Sequence, residues 1–292
     1  MPGKSKKGRV QSMKHALGSV SRRYLVAGSL SLFLAVAARI GAEPTQEATT
    51  AYNSYVNQVE ARLAQKHPTT CVSLPAGADL ARLRNGELVV EQVSPEMNEK
   101  LPGAQLYDWR GTAFVAGAKP EDFVRLMKAY DAYPQTFAPE MLGAHVVTHE
   151  GDHYQVIMRV RQKHILTAVL DITYDVAFGR GGSGGDSSGG TLGQCGFVDS
   201  RSTKIAEIDQ ASTSQERALA PNEDHGYLWR QNNYWSYEVR DGGLYIQIES
   251  ISLSRSIPAG LGWAIGSFTK SIPRETMEFT LRCMRDALRK SG

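Results

Sequence analysis

His145, His149 and His153 are four residues apart, a spacing that on a helix would put zinc ligands on one face. The intervening Val146-Val147-Thr148 reads as strand instead. A strand sets His145 and His149 about 13 Å apart, whereas a shared zinc needs bonds of about 2 Å. Surface or edge histidines are therefore expected, and no metal; a hairpin that brings His145 or His149 beside His153 leaves the alternative open. Gly181-Gly-Ser183-Gly-Gly185 matches a nucleophile elbow, and Gly179-Arg-Gly181-Gly-Ser-Gly184 a dinucleotide loop. Both motifs need a helix directly afterwards, and no helical pattern follows. Glycine abundance accounts for both matches, and no cofactor is expected. The remaining polar candidates for anchoring a ligand, or serving as a general acid, are Arg230, Tyr234, Glu249 and Arg255, with Arg159 and Asp171 behind them. Glu249 and Arg230 are positioned to pair across a hairpin and orient a head group. Against this, strict alternation puts Arg159, Asp171 and Glu249 opposite the apolar set of their strands.

The elements that must position these residues follow from hydrophobic period. Thr45–Lys66 reads as a helix with Tyr52, Val56, Val59 and Leu63 on one stripe, stopped by His67-Pro68. Glu87–Val93 is a candidate short strand, and a stronger one spans about 105–116. Lys119-Pro120-Glu121-Asp122 opens a helix with a stripe of Phe123, Leu126, Met127 and Tyr130, stopped at Tyr133-Pro134. Strands are expected at about 143–150, 152–161 and 165–178. In the second, Tyr154, Val156, Met158 and Val160 share a face; in the third, Leu166, Ala168, Leu170, Ile172, Tyr174 and Val176 do. The glycine/serine run 179–196 is expected to be a mobile loop, followed by a strand at 198–209 and a polar loop to 224. Residues 227–238 form an aromatic-rich strand. Asp241-Gly242-Gly243 makes the hairpin turn, and Leu244, Ile246 and Ile248 return with apolar alternation. Met277, Leu281, Met284 and Leu288 then mark one long helix, with Pro273 expected in its first turn. The Pro258–Phe268 bend, with Gly260 and Gly262, reads as a gate.

Charge is concentrated at the start of the chain. The first 42 residues hold eight of the 33 Lys and Arg and none of the 30 Asp and Glu, leaving 25 against 30 beyond them. A basic stretch, an apolar run from Tyr24 to Ala38 and Gly41-Ala42 give the order of an export signal, an uncleaved anchor being the alternative. The expected location is periplasmic or extracellular. The remaining chain is acidic, which gives no support to nucleic-acid binding. Three cysteines, Cys71, Cys195 and Cys283, allow one bridge of undetermined pairing, and idle thiols are the expectation.

The order strand, helix, short helix, six strands, long helix resembles the helix-grip fold of START-like, polyketide-cyclase-like and birch-pollen-allergen-like proteins. The resemblance covers about 105–290 and rests on that order, the Gly-rich hairpin, and Ser252-Leu-Ser-Arg-Ser-Ile-Pro258 leading into Gly260-Leu-Gly-Trp263. It implies an α+β domain at 104–292 in which a curved antiparallel sheet wraps a C-terminal helix around an apolar cavity. Residues 43–103 become a helical extension. The implied activity is binding of an apolar or amphipathic small molecule, lipid-like, quinone-like or polyketide-like. Expected wall residues are Val156, Met158, Leu166, Leu170, Ile172, Tyr174, Trp229, Arg230, Tyr234, Ile246, Ile248, Glu249, Trp263, Phe268, Met277, Leu281 and Met284. A cyclase or hydrolase using the same cavity is the alternative, with an envelope scaffold as a third reading. Binding is preferred because no compact inward acid–base pair is evident. A transient membrane-surface contact is a further expectation.

Overall fold

The computed structural model describes residues 43–93, 101, 103–163, 167–182, 193–221, 223–256 and 262–291, without the side chains of 163 and 262–271. The leader, Leu166, most of the glycine/serine run and the Pro258–Gly260 part of the bend lie outside the described residues, so the gate reading is not addressed there.

Thr45 caps α1 (Gln46–Lys66) by accepting the Ala48 N–H at 3.1 Å. Helix α2 (Gly77–Arg84) and strand β1 (Val89–Gln92) follow, then β2 (Ala104–Ala116) and α3 (Pro120–Lys128), whose early proline and acids suit a helix start. A 3₁₀ turn (Tyr130–Ala132) and α4 (Tyr133–Thr136) lead to β3 (Met141–Glu150), β4 (His153–Lys163) and β5 (Thr167–Gly181). The chain ends with β6 (Cys195–Asp209), β7 (Arg217–Ala218), β8 (Arg230–Arg240), β9 (Gly243–Arg255) and α5 (Gly262–Ser291). The strands form one antiparallel sheet in the order β1-β2-β9-β8-β6-β5-β4-β3, with β7 beside β6. Asp241 and Gly242 take φ of 56° and 75° in the two-residue β8–β9 turn, as its geometry demands.

Helix α5 packs across β2 on what is here termed the inner face of the sheet. Met277, Leu281, Met284 and Leu288 are all buried there, with Ala113, Val115, Leu244, Ile246, Tyr237 and Phe123. Gly111 permits the close approach: a Cβ there would stand 3.0 Å from the Met277 side chain. The helix differs from expectation at its start, since it begins at Gly262 and carries Pro273 inside it. Part of the expected bend is therefore helical. A proline removes one N–H bond and the helix continues on both sides of it.

The outer face is covered as well, which the sequence pattern did not announce. Ala48, Tyr52, Val56 and Val59 of α1 pack on Ala104, Leu106, Trp229, Tyr234, Ile251 and Leu253. Val72 and Leu83 cover Phe114 and Tyr245. The expected idle thiols are corrected too: Cys71 and Cys195 form a disulfide, with Cα atoms 5.7 Å apart, which fastens the end of this cover to the start of β6. Cys283 is free. The expected loop 179–196 is strand at both ends, because β5 runs to Gly181 and β6 starts at Cys195. Phe197 lies over the bare backbone of Gly179 and stacks on His67 at 3.9 Å, a packing that an added side chain at 179 would block.

Beneath α1 lies a buried ionic cluster. Glu249 pairs with Arg62 of α1 and with Arg110 of β2, the latter at 2.9 Å. Asp108, fully buried, accepts from the Tyr55 hydroxyl at 2.7 Å, and its other oxygen has no partner among the described residues. Burial, then Glu249, pushes the Asp108 carboxyl up to about 7, against Tyr55, Arg110 and Arg62, which favour its charge. Such a group binds its proton more tightly folded than unfolded. Its contribution is complete below the usual carboxylate range and is lost as pH rises through about 7. His67, held down to about 4 by burial and then Lys66, works in the opposite sense and is fully favourable above about 6.5. Between pH 6.5 and about 7 Asp108 therefore outweighs His67, with Asp199, pushed up to about 6, acting in the same sense; Lys66, held down to about 8 by burial and then Arg110, opposes them only as pH nears 8. The melting temperature should fall across that interval, and Asp108→Asn should flatten the fall; equal slopes for both proteins in thermal scans would refute this assignment.

Candidate functional site

Along β9 the inner-face residues are Leu244, Ile246, Ile248, then Ser250, Ser252 and Ser254. The ladders to β2 and β8 run without a bulge, so the serines point inward like the leucine and isoleucines before them. Neighbouring strands change in the same place. On β8, Tyr237 and Trp235 give way to Asn233 and Gln231; on β6, Val198 gives way to Ser200. Small polar side chains replace large apolar ones, and the space they leave is not filled.

The result is a cavity of about 720 Å³ between the sheet, α3–α4 and the middle of α5. One wall is apolar, with Met127, Phe137, Met141, Met158, Val160 and Phe279. The facing wall carries Gln105, Ser200, Gln231, Asn233 and the three β9 serines. Tyr174 donates to Gln231 Oε1 at 2.6 Å, Ser250 to Asn233 Oδ1 at 2.7 Å and Tyr107 to Gln105 Oε1 at 2.7 Å. Tyr133 donates to the Met127 carbonyl at 2.8 Å. Burial drives the Tyr130, Tyr133 and Tyr174 phenols well up, so they stay protonated and act as donors. The ionisable lining groups, Glu140, Arg161, Arg255, Glu275 and His225, are all partly or fully exposed.

Of the expected wall residues, Met158, Tyr174, Ile248 and Met277 line this cavity. Val156, Leu170, Ile172, Ile246, Leu281 and Met284 belong to the adjoining solid core. Four placements are corrected. Trp229 and Tyr234 pack under α1 on the outer face, and Glu249 is buried there in its ion pairs. Arg230 shares the parity of Tyr234 and stands opposite Leu253 in the ladder, so it does not meet Glu249, whose partner position is Tyr234. Leu166 lies outside the described residues, and the side chains of Trp263 and Phe268 are likewise not described. Arg255 does line the cavity, whereas Arg159 and Asp171 pair with each other at 2.7 Å on directly opposed positions of β4 and β5. His149 bonds the Gly151 carbonyl at 2.7 Å and stacks on Tyr154. Among the described residues no group of three or more His, Cys, Asp or Glu is placed to hold a metal.

A second hollow of about 560 Å³ lies beside the end of α1, lined by Glu60, His67, Arg180, Phe197, Asp199 and Arg201. Arg201 bonds Glu60 at 2.6 Å, and burial pushes the Asp199 carboxyl up to about 6.

The architecture is the helix-grip fold: an open antiparallel sheet against a long C-terminal helix, here with an added N-terminal helix. No protein-family model matches the chain, and no curated protein does. Among solved structures it is similar to a STAR-related lipid transfer protein from Xanthomonas axonopodis, at 15% identity and a TM-score of 0.41, over 68% of this chain and 98% of that one. It is also similar to the Zhui aromatase/cyclase from Streptomyces sp. R1128, at 10% identity and 0.40, over 64% and 97%. A START superfamily protein from Mycobacterium smegmatis matches at 12% and 0.37, over 65% and 97%.

Proposed function

We propose that this chain is an exported binding protein that holds an apolar or amphipathic small molecule in the cavity under α5. The observation that carries the reading is the unfilled, half-apolar space of about 720 Å³, within the range of about 300–1,000 Å³ typical of small-molecule sites. Burial of the ligand's apolar body, at roughly 25 cal/mol per Å², drives binding, and the amide and hydroxyl wall sets orientation. The basic-then-apolar leader supports export. So does the Cys71–Cys195 bridge, since disulfides persist in oxidising compartments. Carrier and sequestering roles both follow from such a site. A cyclase or hydrolase would need a base within the buried wall, whereas the wall's carboxylates, Glu140 and Glu275, sit where it meets solvent.

Native mass spectrometry of protein purified from its host envelope tests this directly. A co-purifying mass should be present and should leave unmodified. Ser252→Phe places a ring in the cavity, and occupancy should drop at least tenfold while the melting temperature holds. Empty wild-type protein, or undiminished occupancy in Ser252→Phe, would end the proposal.

A further inference from the structure

The polar wall has a directional bias. Resting on the reading just given, we infer that the cavity selects a neutral ligand whose polar end carries acceptor oxygens (keto, ester or ether oxygens on an apolar body) and discriminates against carboxylates and phosphates.

Two amides fix the direction. The side-chain oxygen of Gln231 accepts from Tyr174, and that of Gln105 accepts from Tyr107. An amide whose oxygen is engaged in this way offers its NH₂, which is a donor only. Neither the Gln231 nor the Gln105 side-chain nitrogen has a partner among the described residues, and neither is among the occluded unsatisfied atoms. The Asn233 oxygen is likewise taken, by the Ser250 hydroxyl. The hydroxyls of Ser200, Ser252, Ser254 and Tyr130 stand in the same lining, without partners among the described residues. The two amide NH₂ groups are thus open donors, each amide oxygen already takes one hydroxyl, and the free hydroxyls can turn to donate or accept. A guest that brings only donors leaves the Gln231 and Gln105 NH₂ groups unmet; one that brings carbonyl or ether oxygens satisfies them and the hydroxyls as well.

Donors alone would also welcome an anion, so charge decides between the two. Among the described residues, the buried part of the wall holds no cation. The basic lining residues Arg161 and Arg255 are matched in number by Glu140 and Glu275, and all four sit where the wall is partly or fully exposed. An ionised head group drawn into this wall would lose its hydration without a compensating charge, a cost a neutral head group does not meet.

The test uses probes with one apolar length: 2-undecanone, undecane, decanoate and decyl phosphate, each titrated at pH 7.5 against Nile red bound to the intact mature protein. The ketone should displace the dye at least tenfold more effectively than either anion. Gln231→Glu keeps an acceptor for Tyr174 and removes the donor. It should weaken the ketone at least tenfold and undecane less than threefold. Anions that match or beat the ketone on wild-type protein overturn the inference and leave the binding proposal standing; that comparison needs no variant. If the dye and all four probes fail to bind, the binding proposal falls and takes this inference with it.

Discussion

Glu249→Ala is expected to destabilise the protein by about 3–5 kcal/mol, the usual cost of removing one partner from a buried ion pair. Glu249 is almost fully enclosed, and its two arginines approach from different elements, Arg62 on α1 and Arg110 on β2. The Arg110 side chain is only 15% exposed and would keep only its looser contact to the exposed Glu91, at 3.2 Å; Arg62, at 40%, can turn to solvent. The effect should therefore fall toward the lower end of that range, with Arg110 as its main source. Asp108 lies beside the same cluster, and losing Glu249 removes the charge that helps hold its proton. The variant's stability should then fall less steeply with pH than the wild type's. Urea unfolding measures both effects. A loss below about 1 kcal/mol would mean that this pair contributes nothing to seating α1 on the sheet.

The second large effect concerns the bridge. Replacing Cys71 and Cys195 together by serine should cost about 2–5 kcal/mol, because the bond closes a loop of 124 residues whose freedom returns to the unfolded chain. Reducing agent should bring the wild type down to the double variant and leave the variant unchanged. Identical melting temperatures for oxidised and reduced wild type would remove the bridge from the account.

The inner half of this fold was readable from period alone. The apolar stripe of Met277, Leu281, Met284 and Leu288 and the alternation of Leu170, Ile172, Tyr174 and Val176 all bury as the pattern implies. The strand of the second set, β5, appears within a few residues of expectation. The cavity itself was harder to read, for a reason visible in β9. From Leu244 to Ile248 the apolar residues face inward; from Ile251 to Leu253 they face outward, with no bulge to reset the strand. That inversion of phase is the mark of a strand whose two faces exchange roles. Ser250, Ser252 and Ser254 were passed over because a reading tied to the first half of β9 carries the apolar face onward. The same assumption of an open outer face misplaced Trp229, Tyr234 and Glu249. Aromatic side chains on β8 are assigned to the cavity wall as long as one face of the sheet is taken to be bare, until a helix from the far end of the chain is known to lie on it. That helix was visible in the sequence as Tyr52, Val56 and Val59, but period does not say which surface a stripe covers.

The docking of α1 also orders events in time. Its seat includes Ile251 and Leu253, and Tyr52 meets the Ile251 carbonyl across 199 positions of chain. A segment synthesised early thus waits for the last strand before it can bury its greasy side. Contacts of such long range form slowly, and waiting surfaces attract the wrong neighbours. During synthesis, the nascent chain will carry two unmatched sticky surfaces until its C-terminal fifth arrives, a period in which a holding chaperone has the most to do.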